Sequence, residues 1–416
     1  MPTVAFKFRA YADKQTLRAL KAQLKLACEI YNTLRWASIY FYERDGKGLS
    51  RYELKNLALD LRKQDKEYQQ LHSQVVQNIA DRYYNALQKF LNKQARFPKE
   101  KSEDKFSSLV YPQAWMKQRG KVYQNGWKLT DKNKKFKILH LSSLGDFKVR
   151  VHRQFPVDKV KQIIVKLSKS GKVFVIFIVE NYEFPQLKKT GKKVSIDVGI
   201  YRLLTTSDGY YVENPRRLEK KLERLKRLQQ SLFRKEKGSN NFEKMRVKIA
   251  KTYESIVNFR HDLYYKLGKY FAENYDGLAM EDIKVKQLIS RSARLLRLHL
   301  HDVGFYEMRE IFKWQMEKYG KEFKVVNPAY TSRTCPKCGF VKENMPLSER
   351  KFICPRCGYT DDRDHVGSLE VHIRAGWDAP LEPVELTPLP WKKPRQGLTM
   401  KQEPHSPGWM HSTSVE

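Results

Sequence analysis

Two Cys-x-x-Cys pairs near the end of the sequence restrict the fold more than any other feature. Cys335 and Cys338 form the first pair, Cys354 and Cys357 form the second, and fifteen residues separate the pairs. This spacing is typical of four thiolates that bind one zinc ion and leave no coordination position open for a substrate. Each pair lies in a Cys-Pro-x-Cys-Gly segment, whose glycine allows a tight turn around the metal. The pattern therefore predicts a structural zinc module.

Disulfide bonds are the alternative explanation for paired cysteines, and they require an oxidising compartment. The first ten residues, MPTVAFKFRA, lack the apolar segment of a secretory signal, which favours zinc and a cytoplasmic location. The fifth cysteine, Cys28, lies in an apolar helical pattern and is expected in a hydrophobic core.

The charge balance indicates a polyanionic partner. The 416 residues include 81 lysines and arginines against 46 aspartates and glutamates, a net charge of +35. Such an excess repels itself in a compact protein unless a polyanion neutralises it, and the aromatic residues, 12% of the chain, can stack on bases. A membrane is the other polyanion, but no apolar run is long enough to span one, and neither an amphipathic anchor nor a lipidation signal is evident. We therefore expect a nucleic-acid partner and no membrane.

The hydrophobic periodicity of the first half predicts a small β-barrel with a helical insertion. Residues 3–11 alternate as a strand, and residues from about 13 to 100 carry helical stripes. Strand-like alternation then continues to about residue 180 and includes a hairpin that turns at 168–171. A first strand separated from the later strands by helices predicts one barrel domain over residues 1–183.

Residues 184–193 are predicted to be a linker, and residues 194–375 are predicted to form an α/β domain. This domain begins with the apolar strand VSIDVGI, continues with a basic αα-hairpin over about 214–270, and contains the zinc module over about 331–360. Seven of the seventeen prolines follow Gly376, so residues 376–416 are predicted to be a disordered tail.

Three acidic residues stand at the ends of separate elements in the α/β domain. Asp197 interrupts an apolar strand, Glu281 follows the strand GLAM, and Asp364 begins the helix after the zinc module. An unpaired charge in a buried strand is costly. Carboxylates from separate elements are the ligands that Mg²⁺ ions need when they catalyse phosphodiester hydrolysis. The sequence therefore predicts a magnesium site for these three residues.

Neighbouring carboxylates compete with two of these three assignments. Asp282 directly follows Glu281, and Asp361 and Asp362 precede Asp364, so the residues alone leave these alternatives open. Four histidines have no metal-binding spacing and are expected on the surface or against a nucleic-acid duplex: His261, His299, His301 and His365.

Five segments resemble, in order and spacing, the TnpB (OrfB) proteins of IS200/IS605-type and IS607-type insertion sequences, which are related to the smallest Cas12 nucleases. The segments are VSIDVGI, LAMEDIKVK, NPAYTSRTCPKCG, FICPRCGY and DRDHVGS. Residues 72–91 and 96–113 also resemble this family, so the resemblance covers most of the chain. It implies a wedge-type β-barrel with a helical recognition insertion, followed by a RuvC-like nuclease domain of the RNase H class that a zinc ribbon interrupts.

The resemblance also implies roles for individual residues. Asp197, Glu281 and Asp364 correspond to the catalytic carboxylates that bind Mg²⁺, with two ions expected. The zinc ligands that the resemblance implies are Cys335, Cys338, Cys354 and Cys357. The family usually has an asparagine two residues after the last aspartate, where this sequence has Val366, so one amide hydrogen bond is lost and the rate is in question.

The function that the resemblance implies is RNA-guided cleavage of DNA by a protein encoded in a transposable element. A guide RNA pairs with the target double-stranded DNA, while the protein reads a short flanking motif. A monomer in the prokaryotic cytoplasm, associated with the nucleoid when bound to DNA, is expected. Two alternatives stay open: a compact Cas12 effector that uses CRISPR-derived guides, and a non-cutting regulator, which is expected to have lost a carboxylate.

Overall fold

The computed structural model describes residues 3–390 except residues 115, 119–120, 125, 347 and 383. The described chain divides into two compact units, residues 3–183 and residues 184–390. None of the helices in these ranges is long and apolar enough to cross a membrane.

The first unit consists of antiparallel strands and a group of helices that follows the first strand. Its strands are β1 (Val4–Tyr11), β2 (Ser108–Tyr111), β3 (Met116–Gln118), β4 (Lys121–Gln124), β5 (Trp127–Asn133), β6 (Phe136–Leu141), β7 (Gly145–Arg150), β8 (Val160–Leu167) and β9 (Val173–Val179). Its α-helices are α1 (Lys14–Asp45), α2 (Arg51–Gln64) and α3 (Ser73–Leu91).

Seven of these strands form one curled sheet, which is a half-barrel. Their order is β2-β8-β9-β1-β7-β6-β5, so the first strand of the chain lies in the centre, between two later strands. The edges approach each other where Ala114, just after β2, forms an isolated bridge with Trp127 at the start of β5. Gly126 permits this approach, since a Cβ there would lie 2.2 Å from the Gln113 carbonyl oxygen. The prediction that helices separate the first strand from its partners is confirmed.

The second unit consists of a mixed sheet, a set of helices and a small two-stranded sheet. Its strands are β10 (Lys193–Asp197), β11 (Arg202–Thr206), β12 (Tyr210–Glu213), β13 (Gly277–Glu281), β14 (Glu322–Val326), β15 (Lys351–Ile353), β16 (Thr360–Asp362) and β17 (Thr387–Pro388). Its α-helices are α4 (Arg217–Phe233), α5 (Asn240–Asn274), α6 (Val285–Arg291), α7 (Arg294–Val303), α8 (Phe305–Glu317) and α9 (Arg363–Arg374).

The mixed sheet has the strand order β14-β13-β10-β11-β12-β17. Strands β10, β13 and β14 run parallel to one another, whereas β10, β11 and β12 form an antiparallel meander. The carboxyl ends of the three parallel strands therefore meet at one edge. Helix α9 packs on β10, and its buried Val371 shares a core with Ala279 of β13 and Val326 of β14.

The segment predicted to be a linker is held against the second unit near residue 190. The Asp276 carboxylate accepts hydrogen bonds from the backbone N–H groups of Thr190 and Gly191, at 2.9 and 2.7 Å. Lys321 pairs with the same carboxylate and donates to the Lys188 carbonyl oxygen at 2.9 Å. The chain is thus fixed just before β10 begins.

The first part of the tail that we predicted to be disordered is folded. The short strand β17 pairs in parallel with β12, and the N–H groups of Thr387 and Leu389 donate to the carbonyl oxygens of Gly209 and Tyr211, both at 2.9 Å. Its proline is tolerated because β17 is an edge strand. Trp377 is buried as well. The rest of the predicted tail, residues 391–416, lies outside the described residues.

Candidate active site

Asp197 and Glu281 end two neighbouring parallel strands. In the register of β10 and β13, Ile196 lies opposite Met280, so the residues that follow them, Asp197 and Glu281, lie side by side. Residues paired in this way direct their side chains to the same face of the sheet, and neighbouring strands are about 4.8 Å apart. The two carboxylates therefore face the same space at the carboxyl edge of the sheet.

Helix α9 brings a third carboxylate to this space. Gly367 packs directly against Asp197: a Cβ at position 367 would lie 3.2 Å from Asp197 Cγ and 3.3 Å from its Oδ2. Asp364 precedes Gly367 by three residues, and residues at this spacing share one face of a helix. The absence of a side chain at position 367 thus lets the helix approach closely enough to bring Asp364 near Asp197.

The charges of Glu281 and Asp364 oppose the ionisation of Asp197. Burial raises the pKa of Asp197 well above its ordinary value of 3.8, and the charges of Glu281 and Asp364 raise it further. Burial also raises the pKa of Glu281, although a hydrogen bond from Thr331 works in the other direction. For Asp364, burial raises the pKa and the charge of Arg350 lowers it, with a net rise. A bound cation would relieve this repulsion.

The structure distinguishes Glu281 from its neighbour Asp282. Glu281 is only 8% exposed, and its Oε1 accepts a hydrogen bond from the buried hydroxyl of Thr331. The side chain of Asp282 is 49% exposed and forms an ion pair with Arg309. Successive side chains along a strand point to opposite faces, so only Glu281 shares the face of Asp197.

The structure also distinguishes Asp364 from the two aspartates before it. Asp362 caps helix α9: its Oδ1 accepts the N–H of Asp364 at 2.9 Å, and its Oδ2 pairs with Arg202 at 2.9 Å. Asp361 is buried and lies 2.7 Å from His365 Nδ1. Both therefore hold the start of the helix, and Asp364 is the member of the cluster whose charge acts on Asp197.

The predicted surface position is wrong for His365, whose side chain is 1% exposed. It lies in the first turn of α9, and its Nδ1 is 2.7 Å from the buried carboxylate of Asp361 in strand β16. The other three histidines are less buried: His301 is exposed, whereas His261 and His299 are partly buried.

Sequence reasoning missed several side chains that contact the three carboxylates. Arg350, between the two cysteine pairs, forms an ion pair with Asp364 and lies over the ring of Tyr201, 5.1 Å from its centroid. Arg202 lies 3.9 Å from Asp364. Long arginine side chains act far from their backbone position, so no local sequence signal identified them. Only the small residue at position 367, one turn after Asp364, carried such a signal.

The four cysteine sulfurs converge as the pattern predicts. Their Sγ atoms all lie within 4.8 Å of one another, with 3.6 Å for Cys335–Cys357 and for Cys338–Cys354. Four sulfurs at about 2.3 Å from a tetrahedral zinc ion are about 3.8 Å apart, so the cluster fits zinc. Among the described residues this is the only group of three or more potential ligands packed so tightly.

The two cysteine pairs have the same backbone geometry. In each, the N–H of the first cysteine donates to the carbonyl oxygen five residues later, at 2.8 Å. The glycine after each pair lies in the left-handed region, with φ of +70° at Gly339 and +72° at Gly358. A residue with a Cβ is strained in this region, so the predicted role of the glycines is confirmed.

Val366, which stands where the resembled family has asparagine, is fully buried. It joins an apolar cluster with Cys335, Met345, Phe352 and Tyr359 of the zinc module. The substitution therefore replaces a polar side chain with apolar packing, and this packing attaches helix α9 to the zinc module.

Comparisons with known proteins identify relatives of this chain. The OrfB_IS605 family model, described as "Probable transposase", matches residues 162–292, and a model described as "Cas12f1-like, TNB domain" matches residues 305–371. The "Putative RNA-guided DNA endonuclease InsQ" of Escherichia coli K12 is 30% identical over 345 residues, which are 80% of this chain and 79% of InsQ. A "Putative RNA-guided DNA endonuclease" of Streptomyces pristinaespiralis is 26% identical over 366 residues, 86% of each chain.

A solved structure shares the fold. The Cas12f1 chain of a cryo-EM complex with single guide RNA and target DNA superposes with a TM-score of 0.59 over 85% of this chain and 82% of that chain. The two sequences are 15% identical, so this likeness concerns the fold alone. Identity to InsQ over four fifths of both sequences decides the family, and it confirms the resemblance: the chain belongs to the OrfB (TnpB) family.

Proposed function

We propose that this protein is an RNA-guided DNA endonuclease that hydrolyses target DNA at a RuvC-like site formed by Asp197, Glu281 and Asp364. Relatives that align over most of the chain carry the name RNA-guided DNA endonuclease, which supports the guide and the target. The observation that carries the catalytic assignment is the convergence of the three carboxylates, through the register of β10 with β13 and the contact of Gly367 with Asp197.

The donor set fits Mg²⁺, which prefers oxygen ligands. The three carboxylates come from three separate elements, β10, β13 and α9, and a site for two ions needs several such oxygen ligands. When bound, such ions activate water and stabilise the leaving oxygen. The protein's own contribution is to orient the ligands: Thr331 bonds Glu281, and Arg350 pairs with Asp364.

The sheet supports the assignment to the RNase H class, because an antiparallel meander, β10 to β12, adjoins two parallel strands, β13 and β14. The half-barrel and the helices of the first unit support its assignment as a wedge-type barrel with a recognition insertion. The four sulfurs support a structural zinc ion. We further propose that the protein acts as a monomer.

Charge supports the nucleic-acid partners. The net charge of +35 demands neutralisation, and hairpin α4–α5 presents exposed cations such as Arg227, Lys235 and Lys244. Contacts to backbone phosphates supply affinity without sequence choice, which leaves sequence choice to guide pairing and to a short flanking motif in the double-stranded target.

The test is a plasmid-cleavage assay with the protein purified from its native host together with its co-purifying RNA, which is sequenced to define the target. We expect cleavage with Mg²⁺ and none without it. Asp197→Ala should abolish cleavage and retain RNA binding, whereas the neighbouring Asp282→Ala should retain both. Equal cutting by Asp197→Ala and wild type would refute the catalytic assignment, and wild type that binds RNA and DNA without cutting would identify a regulator.

A further inference from the structure

A chain of buried hydrogen bonds joins the zinc module to the start of helix α9. The Tyr359 hydroxyl donates to Asp361 Oδ2 at 2.8 Å, and His365 Nδ1 lies 2.7 Å from the same oxygen. On the far side of the ring, His365 Nε2 lies 3.3 Å from the Ser207 carbonyl oxygen. The side chains of His365 and Asp361 are 1% and 3% exposed, so water cannot replace these partners.

Both ring nitrogens of His365 face oxygen atoms that accept hydrogen bonds. Asp361 offers a carboxylate and Ser207 a backbone carbonyl, and these two oxygens contact different nitrogens of the ring. Removing one partner of a buried hydrogen bond leaves the other partner unsatisfied, which is unfavourable. The imidazole is therefore held from two directions in a single orientation.

A second set of bonds holds the rest of helix α9 on strand β10. The Ser195 hydroxyl donates to the Ser368 carbonyl oxygen at 2.7 Å and lies 3.1 Å from His372 Nδ1. The Ser207 hydroxyl lies 3.2 Å from the same nitrogen. Ser195 precedes Asp197 by two residues, so both side chains leave β10 on the face that α9 covers. These hydrogen bonds therefore fix the position of helix α9 along strand β10.

We infer that His365 is a positioning residue for the candidate active site. It fixes the first turn of α9, and with it the adjacent Asp364, at the separation from Asp197 that the metal ions need. Tyr359 and Asp361 extend this support to the second cysteine pair. The same hydrogen bonds therefore connect the zinc module to the helix that carries Asp364. The inference rests on the proposed function, because it takes Asp364 to be a metal ligand.

The test measures Mn²⁺ binding to the full-length protein with its RNA by titration calorimetry, and separately the Mg²⁺ concentration that gives half-maximal cleavage. Tyr359→Phe removes one buried hydroxyl and keeps the ring. Its matched control is Tyr264→Phe, whose buried hydroxyl donates to the Val303 carbonyl oxygen in another part of the second unit. Mn²⁺ binding at the candidate active site is the binding that wild type shows and Asp197→Ala lacks.

We expect Tyr359→Phe and His365→Phe to weaken Mn²⁺ binding by about tenfold, the lower end of the effect of outer-shell mutations, because both act on Asp364 through the first turn of α9 and not by a direct bond. The Mg²⁺ requirement should rise in parallel, while zinc content and RNA binding stay unchanged. His365→Gln keeps one donor group and should fall between these variants and wild type. Tyr264→Phe should behave as wild type.

Two results would overturn the inference. The first is wild-type Mn²⁺ affinity in both Tyr359→Phe and His365→Phe. The second is weakened Mn²⁺ affinity together with loss of zinc, because an unfolded zinc module would then explain the weaker binding. Should His365→Phe fail to fold, Tyr359→Phe and Asp361→Asn decide the matter alone. Failure of the proposed function gives a different result, in which wild type and Asp197→Ala bind Mn²⁺ equally.

Discussion

Gly367 is the residue on which the geometry of the candidate active site depends most directly. It lies within a helix, where alanine is more favourable than glycine by about 1 kcal/mol. A methyl group here, however, would lie 3.2 Å from Asp197 Cγ, closer than ordinary van der Waals contact, so the carboxylate or the helix would have to shift by a few tenths of an ångström. Helix propensity and the site therefore make opposite demands on this residue.

We expect Gly367→Ala to reduce the cleavage rate at least tenfold without lowering the melting temperature. The added Cβ must displace either the Asp197 carboxylate or the helix that carries Asp364, and small displacements of metal ligands are costly for catalysis. Cleavage kinetics and thermal unfolding measure the two effects. The control is Gly48→Ala, where a Cβ would meet nothing within 4 Å. A wild-type rate in Gly367→Ala would contradict the close contact.

Charge at Asp197 should destabilise the protein when Mg²⁺ is absent. The folded state raises the pKa of this carboxyl group, so folding favours its protonated form. The associated stability is fully present below the ordinary pKa of 3.8 and is lost as the pH rises toward the folded-state pKa. The ionised form of Asp197 therefore lowers the stability of the metal-free fold.

Asp197→Asn should therefore raise the free energy of unfolding at pH 7.5 by about 1 kcal/mol in Mg²⁺-free buffer, the usual size of a stabilising substitution. The gain should shrink as the pH falls to 4, and Mg²⁺ should remove it. Urea unfolding in buffer treated with a chelating resin measures this and leaves zinc in place. Asp282→Asn, which only loses an ion pair with Arg309, should give no gain. A destabilised Asp197→Asn would show that the carboxylate is satisfied without metal.

Among the elements of the second unit, helix α9 connects strand β10, the candidate ligand Asp364 and the zinc module. One face packs on β10, its first turn carries Asp364, and Val366 packs into the core of the zinc module. Because α9 itself follows β16 without a break, the module ends where the helix begins. Loss of the module should therefore affect the site directly.

Cys354→Ser should abolish zinc binding and most of the cleavage activity. A structural zinc site contributes on the order of 10 kcal/mol to local folding, and three thiolates cannot complete the tetrahedron. Zinc content by mass spectrometry and cleavage rate are the measurements. The control is Cys28→Ser in the first unit, where the thiol bonds the Lys101 carbonyl oxygen and a hydroxyl can replace it. Full cleavage activity in zinc-free protein would show that the candidate active site does not depend on the zinc module.

At the scale of the whole molecule, electrostatics should dominate RNA binding. The charge of +35 is spread along the chain, and many cations are exposed. Each phosphate contact releases condensed counterions, so affinity falls steeply with salt.

We expect RNA affinity to fall by about 10³–10⁵ between 50 and 200 mM salt, as for proteins with six to ten phosphate contacts. Lys244→Ala should lower the slope of log affinity against log salt by about 0.7, since Lys244 is exposed and forms no ion pair with the described residues. Lys266→Ala, which loses a cation already paired with Asp262, is the matched control. Filter binding measures both. A salt-independent affinity would exclude phosphate contacts as its main source.

Local chemistry was sufficient to predict a four-cysteine zinc site, a nucleic-acid partner and a group of carboxylates that includes Asp197. Thiolate spacing, net charge and a charged residue in an apolar strand each have few physical explanations, and motif resemblance resolved the choice among neighbouring acids. The hairpin at 168–171 was predictable for the same reason, because its turn involves only adjacent residues.

Contacts between distant segments were decided by the tertiary structure alone. The tail strand β17 has its partner in β12, the buried His365 bonds the carbonyl of Ser207, and Arg350 reaches Asp364 across the zinc module. None of these pairs leaves a periodic pattern in either segment. Burial and long-range pairing depend on which elements the fold brings together, and that arrangement is a property of the whole sheet and its helices.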